Sequence, residues 1–285
     1  MSSPTLIVIG DLVEDVVVLQ RGASVHGTDN PAVVLRRRGG SAANVAAAAA
    51  ELVATRFIGR VGQDRLGTSL AEDLAATGVD VRVQTEGRTG SVIVIVTTDG
   101  ERTMYPDRAA AAELGPVDPA WLADAAMIHV PAYTFQDSGS ATAVGDLLDT
   151  AARAGTPVSL DASAASLIDA RGRPWFHAMV ERWRPRFVFA NGDEAAALGL
   201  DAMHPPPGSL WVIKHGARPA ELRGSDGTRV GVPARPVGGR VDSTGAGDAF
   251  AGAFLAAHIL GHPPDRACAL AHERAARMLR ASPLP

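Results

Sequence analysis

Short, wholly apolar runs alternate along this chain with longer stretches whose apolar residues recur at helical spacing. Leu6–Gly10 has the pattern of a buried strand and closes on the polar pair Gly10-Asp11. Val16–Leu19 and Ala32–Arg36 are further strand patterns, and Ser91–Thr97 is the clearest. In it Val92, Val94 and Val96 alternate with Ile93 and Ile95, so both faces are apolar and both need cover. The alanine-rich run after Gly39-Gly40-Ser41-Ala42-Ala43-Asn44 predicts a helix to Leu52, alanine being the strongest helix former. Thr55–Val61 predicts a strand, and Gly62-Gln63-Asp64-Arg65-Leu66-Gly67 opens a helix to Ala76 with Asp64 as its cap.

From Ala125 the rhythm becomes regular. Strands are predicted at Met127–Val130, Pro157–Leu160, Arg186–Ala190 and Leu210–Ile213, with helices at Ser138–Arg153 and Trp175–Trp183. Glu221–Arg223 and Thr228–Val232 flank a turn at Gly224–Gly227 and read as a hairpin. Ala249–Leu260 and Pro263–Leu279 are the last predicted helices. Strand–helix alternation of this spacing implies a parallel sheet with helices on both faces. Pro205-Pro206-Pro207 is a local loop, since the alternation continues past it, and no internal repeat or charge block interrupts the chain.

Composition narrows the function classes. A hydrophobic content of 46% suits a chain of 285 residues that buries a sizeable core. No apolar run approaches the length of a membrane span, and Met-Ser-Ser-Pro-Thr lacks the basic start of a signal peptide. Cys268 is the sole cysteine, which excludes an internal disulfide framework and a cysteine-based metal site and points to the cytoplasm. A net charge of −4 gives no ground for nucleic acid as a partner. Lys214 is the only lysine, and no Gly-Lys-Ser/Thr exists, so a P-loop is excluded. Any phosphate here is handled by backbone amides and arginine. No Gly-x-Gly-x-x-Gly follows the first strand, which disfavours a Rossmann dehydrogenase.

The densest chemistry lies in Val241–Phe254. Gly245, Ala246 and Gly247 separate Thr244 from Asp248 and run straight into a helix. Free N–H groups and the positive end of the helix dipole make such a turn an anion site. Asp248 at its mouth is a candidate for the base that takes a proton from an attacking hydroxyl; the plainer reading is a tight turn with an acidic first helical turn. Asp11, at a strand's carboxyl end, is placed to grip ligand hydroxyls or to sit in a solvated turn. Asn44 carries an amide that both donates and accepts, which suits a diol. Arg36-Arg37-Arg38 reads first as a solvated face and second as a clamp for a substrate phosphate. Asn191 and Glu194 can share one helix face as ligands, or simply cap the helix.

The string Asp242-Ser243-Thr244-Gly245-Ala246-Gly247-Asp248, followed by Phe250, Gly252 and Phe254, closely resembles the C-terminal signature of the ribokinase, or PfkB, family of carbohydrate kinases. The resemblance extends over nearly the whole chain, with the Gly-Gly element first and Asn-x-x-Glu in the third quarter. It implies a single ribokinase-like α/β domain over residues 1–285, a central mostly parallel sheet with helices on both faces. A small β lid is expected from about 12–36 and 89–105, and lids of this kind often dimerise. It implies ATP-dependent phosphorylation of a hydroxyl on a small sugar or sugar derivative. Asp248 falls on the catalytic base, and Gly245, Ala246 and Gly247 fall on the anion hole. Asp11, Gly39, Gly40 and Asn44 fall on the acceptor site. Asn191 and Glu194 fall on positions tied to the ATP phosphates and magnesium, Glu194 indirectly. Gly216 matches a Gly-rich turn near the nucleotide, with Lys214 a phosphate contact and His272 flanking the adenine or ribose. Asp242 and Thr244 would offer oxygens to a monovalent cation such as potassium. Two departures stand out: Ala109-Ala110-Ala111 replaces a Gly-Ala-Asn, and Pro131 replaces a sugar-touching glutamate of ribokinases, which argues against assuming ribose. A nucleoside kinase of the same family is the alternative, since Gly-Gly-Ser-Ala-Ala-Asn occurs in nucleoside-type members. A non-catalytic sugar or nucleotide sensor is the alternative outside enzymes, and the intact Asp248 speaks against it.

Overall fold

The first apolar run becomes an inner strand of the large sheet. In the computed structural model, which describes residues 4–238 and 243–281, the elements follow in chain order. They are β1 (Thr5–Ile9), β2 (Val13–Gln20), β3 (Ala32–Gly39), α1 (Ser41–Ala50), β4 (Thr55–Val61), α2 (Arg65–Ala75), β5 (Asp80–Thr85), β6 (Thr89–Val96) and β7 (Arg102–Ala109). After these come β8 (Ala125–Pro131), α3 (Ser138–Arg153), β9 (Val158–Asp161), α4 (Ala165–Arg171), α5 (Arg173–Trp183), β10 (Phe187–Asn191) and α6 (Gly192–Leu198). The chain then forms β11 (Leu210–Lys214), β12 (Ala220–Gly224), β13 (Arg229–Val232), α7 (Ala246–Ile259) and α8 (Pro264–Arg280).

Nine strands form one sheet in the order β13-β12-β11-β10-β9-β8-β1-β4-β5. Pairing is parallel from β5 to β11 and antiparallel only in the β11–β12–β13 corner, which contains the expected hairpin. The period-2 geometry of β1 divides the core in two. Leu6 and Val8 face the layer of α1, α7 and α8, and Ile7 and Ile9 face the layer of α3, α4 and α5. Strands covered on both faces need continuous apolar runs, and β1 meets that condition.

A second sheet, in the order β3-β2-β6-β7, stands apart as the expected lid. Val94 and Val96 of β6 pack on Val17, with Leu19 and Val92 beside them. Exposed apolar side chains lie on both faces: Val34, Ile93 and Tyr105 on the face opposite Val17 and Val94, and Leu35 and Met104 at the margin of the Val17–Val94 face. Two elements escaped the sequence reading. The Arg102–Arg108 return is a full antiparallel strand, β7, and Asp80–Thr85 forms the edge strand β5. β5 alternates Asp80 and Arg82 with Val81 and Val83, and β7 is mostly polar and exposed, so neither carries a wholly apolar run, as suits edge strands.

Two features of packing create the cleft. All the parallel strands end on one side, which brings Asp11, Asp161, Asn191 and Lys214 to a common rim. Helices α1 and α7 then cross at close range, because Gly252 leaves room: a Cβ there would lie 2.5 Å from the Val45 carbonyl oxygen and 3.0 Å from the Ala48 Cβ. The alanine-rich α1 is therefore a packing surface as well as a stable helix, and its contact with α7 sets the two helix starts side by side. Among the described residues, no helix is long and apolar enough to cross a membrane.

Candidate active site

Ser41 and Asn44 on the first turn of α1 meet Asp248 on the first turn of α7. The Ser41 hydroxyl donates to Asp248 Oδ1 at 2.7 Å, and Asn44 Nδ2 donates to Oδ2 at 3.1 Å. Burial raises the Asp248 carboxyl above its ordinary range, and Asp161 adds to the rise against the Ser41 and Asn44 bonds and Lys214. Such a group is more basic than a solvated aspartate, which suits proton abstraction. Asn44 and Asp248, expected from the sequence at the acceptor site and as the base, are in direct contact. Ser41 was missed; its place beside Gly40 at a helix start was the available signal.

The turn before Asp248 departs from the expected three-amide cradle. Gly245 adopts φ 79°, a left-handed conformation that glycine takes without strain, and caps α7. The Ala246 N–H bonds the Ser243 carbonyl at 3.2 Å, so it is already engaged. The N–H groups of Gly245, Gly247 and Asp248 meet no acceptor among the described residues. The open donors are thus on Gly245, Gly247 and Asp248 itself, as the unsatisfied start of a helix requires.

The Gly39-Gly40 pair lets β3, α1 and the β1 terminus come together. A Cβ on Gly40 would lie 2.2 Å from the Asp11 carbonyl oxygen, and Gly40 has φ 97°. A Cβ on Gly39 would lie 2.2 Å from Asp15 Oδ1. Asp11 is therefore one backbone contact from the Ser41–Asp248 pair. Its two oxygens each accept from Arg108 of the lid strand β7, at 2.7 Å from Nε and 2.7 Å from Nη2. Arg108 also bonds Asp137, and burial of its guanidinium is outweighed by the two acids, so it stays firmly charged. Nothing in the sequence singled out Arg108.

The other half of the cleft is built from adjacent strand ends. Asn191 caps α6: Glu194 N–H donates to its Oδ1 at 2.9 Å, and the Glu194 carboxylate accepts from Asn191 N and Nδ2, both at 2.7 Å. This is the capping arrangement weighed above, and it also holds a carboxylate buried at the rim. Burial, reinforced by Asp161, pushes the Glu194 carboxyl up to about 7. Lys214 reaches from β11 to Asp161, with Nζ 3.0 Å from Oδ2. Burial alone would lower the lysine, but Asp161 and Glu194 outweigh it and raise it. A Cβ on Gly247 would lie 3.3 Å from Lys214 Nζ, so the ammonium sits directly against the open-amide turn. Asp161, like Ser41 and Arg108, was not singled out by the sequence.

The remaining candidates divide. Gly216 has φ 62° in the turn after Lys214. The His215 ring lies beside Gly192, where a Cβ would come within 3.2 Å of Nδ1. His272 is buried with its ring edge-on to Phe250 at 5.0 Å, which makes it a core residue between α7 and α8. Pro131 ends β8 opposite Asp161. Asp242 lies outside the described residues, and the Thr244 hydroxyl accepts from Arg102 Nη1 at 2.5 Å, with Ser243 accepting from Nη2 at 2.6 Å. Among the described residues no three His, Cys, Asp or Glu side chains cluster as a metal cage.

Comparison with known proteins follows this geometry. The model of the pfkB family carbohydrate kinases matches residues 3–282. The chain is 35% identical over 240 residues to an ATP-dependent ribose-1-phosphate kinase of Halopiger xanaduensis, covering 80% of this chain and 76% of that one. It is 32% identical over 288 residues to a fructokinase of Klebsiella pneumoniae, covering 94% and 89%. A solved structure described as a probable sugar kinase protein from Rhizobium etli CFN 42 matches with a TM-score of 0.88 at 25% identity, over 100% of this chain and 96% of that one.

Proposed function

The chain belongs to the pfkB family of carbohydrate kinases, and we propose that it transfers the γ-phosphoryl group of ATP to a hydroxyl of a small sugar or sugar derivative. It is a phosphotransferase with an alcohol group as acceptor. The observation that carries the finer reading is the contact of Asp248 with Ser41 and Asn44 at the mouth of a turn with open amides. We treat residues 1–285 as one domain with the β3-β2-β6-β7 sheet as its lid.

In this reading the acceptor enters between Asp11, Gly39, Gly40 and Asn44, and one of its hydroxyls takes over a hydrogen bond to Asp248. The hydroxyl proton passes to the Asp248 carboxylate as its oxygen bonds the γ-phosphorus. The bond from that phosphorus to the β,γ-bridging oxygen breaks, and ADP leaves. Open amides of Gly245 and Gly247, with Lys214 against them, meet the charge on the transferring group. Positioning and electrostatics of this kind supply most of the catalysis in phosphoryl transfer. Asn191, Glu194 and Gly216 border the nucleotide, and His272 serves through packing.

Magnesium fits the rim. Buried Glu194 beside Asp161 is a concentration of negative charge that holds a proton to about 7, and a hydrated cation relieves it. When bound with the nucleotide, the ion neutralises phosphate charge. Glu194 would hold it through water and Asp161 would border it. No step is assigned to a monovalent cation. The exposed lid face that carries Val34, Ile93 and Tyr105 supports a homodimer.

ADP release measured over a panel of sugars and nucleosides tests the reading. Acceptor-dependent release is expected, highest with a sugar derivative. A preference for nucleosides would move the assignment to nucleoside kinase. AMP-PNP binding without turnover on any acceptor would leave a sensor.

A further inference from the structure

Resting on the kinase reading above, the arginines on the acceptor side of Asp248 specify what kind of acceptor is taken. Most of them are matched. Arg36 is exposed and pairs with Glu14 at 2.7 Å, Arg88 pairs with Asp107 at 2.6 Å, and Arg108 is held by Asp11 and Asp137. Arg102 bonds the Ser243 and Thr244 hydroxyls. Arg38 is different. Its hydrogen bond is to the Asn44 amide, Nη1 to Oδ1 at 3.3 Å, and no carboxylate lies within salt-bridge distance of it among the described residues. A guanidinium offers five donors in a planar fork, and here one is used.

The location matters as much as the vacancy of the fork. Arg38 stands on β3 just before Gly39-Gly40, and the same Asn44 amide that it touches donates to Asp248. One side-chain amide and two hydrogen bonds separate the guanidinium from the candidate base, a span on the scale of a pentose or hexose. We propose that Arg38 receives an anionic group carried by the acceptor, which is therefore a sugar phosphate or a sugar acid and not a neutral polyol. The fork matches the oxygens of either group in a bidentate pair, which a neutral hydroxyl cannot reproduce. Burial depresses the guanidinium below its ordinary value despite Asp73, Asp15 and Asp248 nearby, so the charge is short of solvation as well as of a partner. Both Asp248 oxygens already accept from Ser41 and Asn44, which moderates repulsion of an incoming anion. The arginine triplet thus divides between the two readings: Arg36 belongs to a solvated face and Arg38 to a clamp.

The test is ADP release by the full chain with ATP and magnesium, comparing ribose with its 1- and 5-phosphates, fructose with its 1- and 6-phosphates, and glucose with gluconate. The expected result is a kcat/KM for one anionic acceptor about 10- to 100-fold above its neutral parent, the scale of hydrogen bonds to charged groups. The phosphate and gluconate arms tell which anion is read. Arg38→Gln, which keeps an amide donor for Asn44, should raise KM for the anionic acceptor by the same factor. It should leave kcat, and the KM of the neutral parent, little changed. Neutral sugars used as well as their anionic forms, or an Arg38→Gln defect equal on both, overturns the proposal and leaves the kinase reading standing. AMP-PNP binding with no turnover on any acceptor overturns both.

Discussion

The half of the cleft around Asp248 and the half around Glu194, proposed to take the acceptor and the nucleotide, are assembled in opposite ways. Around Asp248 the partners come from far along the chain: Ser41 and Asn44 are 207 and 204 positions away, and Asp11 meets Arg108 across 97. Around Glu194 the partners are local or neighbouring. Asn191 and Glu194 are three residues apart, and Lys214 and Asp161 sit at strand ends of the same parallel sheet. The charges differ as well. The Glu194 half concentrates carboxylates around one buried lysine, whereas the Asp248 half is bordered by Arg38 and Arg108 from the lid. In the proposed reading such a site separates tasks: strand ends of the sheet face the phosphates, and acceptor choice falls to lid strands and helix starts that converge only in three dimensions.

That contrast explains what was legible in the sequence. Asn191-x-x-Glu194 and Gly245-Ala246-Gly247-Asp248 are contiguous, so the sequence displays them as motifs, and the family resemblance supplied their chemistry. The inner strand β1 was readable because burial on both faces demands an unbroken apolar run. The edge strand β5 alternates polar and apolar residues, the lid strand β7 is mostly polar, and neither left such a mark. Ser41, Arg108 and Asp161 are ordinary residues in ordinary local contexts. Their significance depends on packing between α1 and α7, on closure of the lid over Asp11, and on the register of β9 with β10 and β8. The engaged Ala246 amide was equally hidden, since only the turn geometry shows which N–H groups remain open.

Substitutions in each half should separate the two modes of assembly. The largest effect is expected at their junction: Asp248→Asn should lower turnover by about 10²- to 10⁴-fold, the usual share of a general base, while AMP-PNP affinity measured by calorimetry holds. Next, Lys214→Met should cost about 10²- to 10³-fold in kcat, the scale of one lost transition-state donor, and weaken AMP-PNP more than AMP. Equal loss for both nucleotides would place the lysine away from the γ-phosphate. On the acceptor side, Ser41→Ala should reduce kcat about 10-fold with nucleotide affinity unchanged, because Asn44 still holds one Asp248 oxygen.

A smaller effect concerns pH and stability. An unfolded glutamate ionises near 4.5, whereas Glu194 in the fold keeps its proton up to about 7. Between those values the native state binds more protons than the unfolded chain, so this group's contribution to stability is present below pH 4.5 and is lost as pH rises through 7. Melting curves of Glu194→Gln should lack that decline, and a parallel decline in wild type and variant would assign it elsewhere. Smallest for catalysis, Tyr105→Glu on the outward lid face should shift sedimentation from dimer to monomer with turnover per chain nearly intact.

The claim beneath these expectations is that the two halves meet at one carboxylate. A crystal structure with magnesium, AMP-PNP and the best acceptor bound tests it most directly. The account predicts an acceptor hydroxyl hydrogen-bonded to Asp248 in place of Ser41 or Asn44, in line with a γ-phosphorus resting on the open amides of Gly245 and Gly247 beside Lys214. An acceptor seated with no hydroxyl on Asp248, or a γ-phosphate held away from that turn, would contradict it.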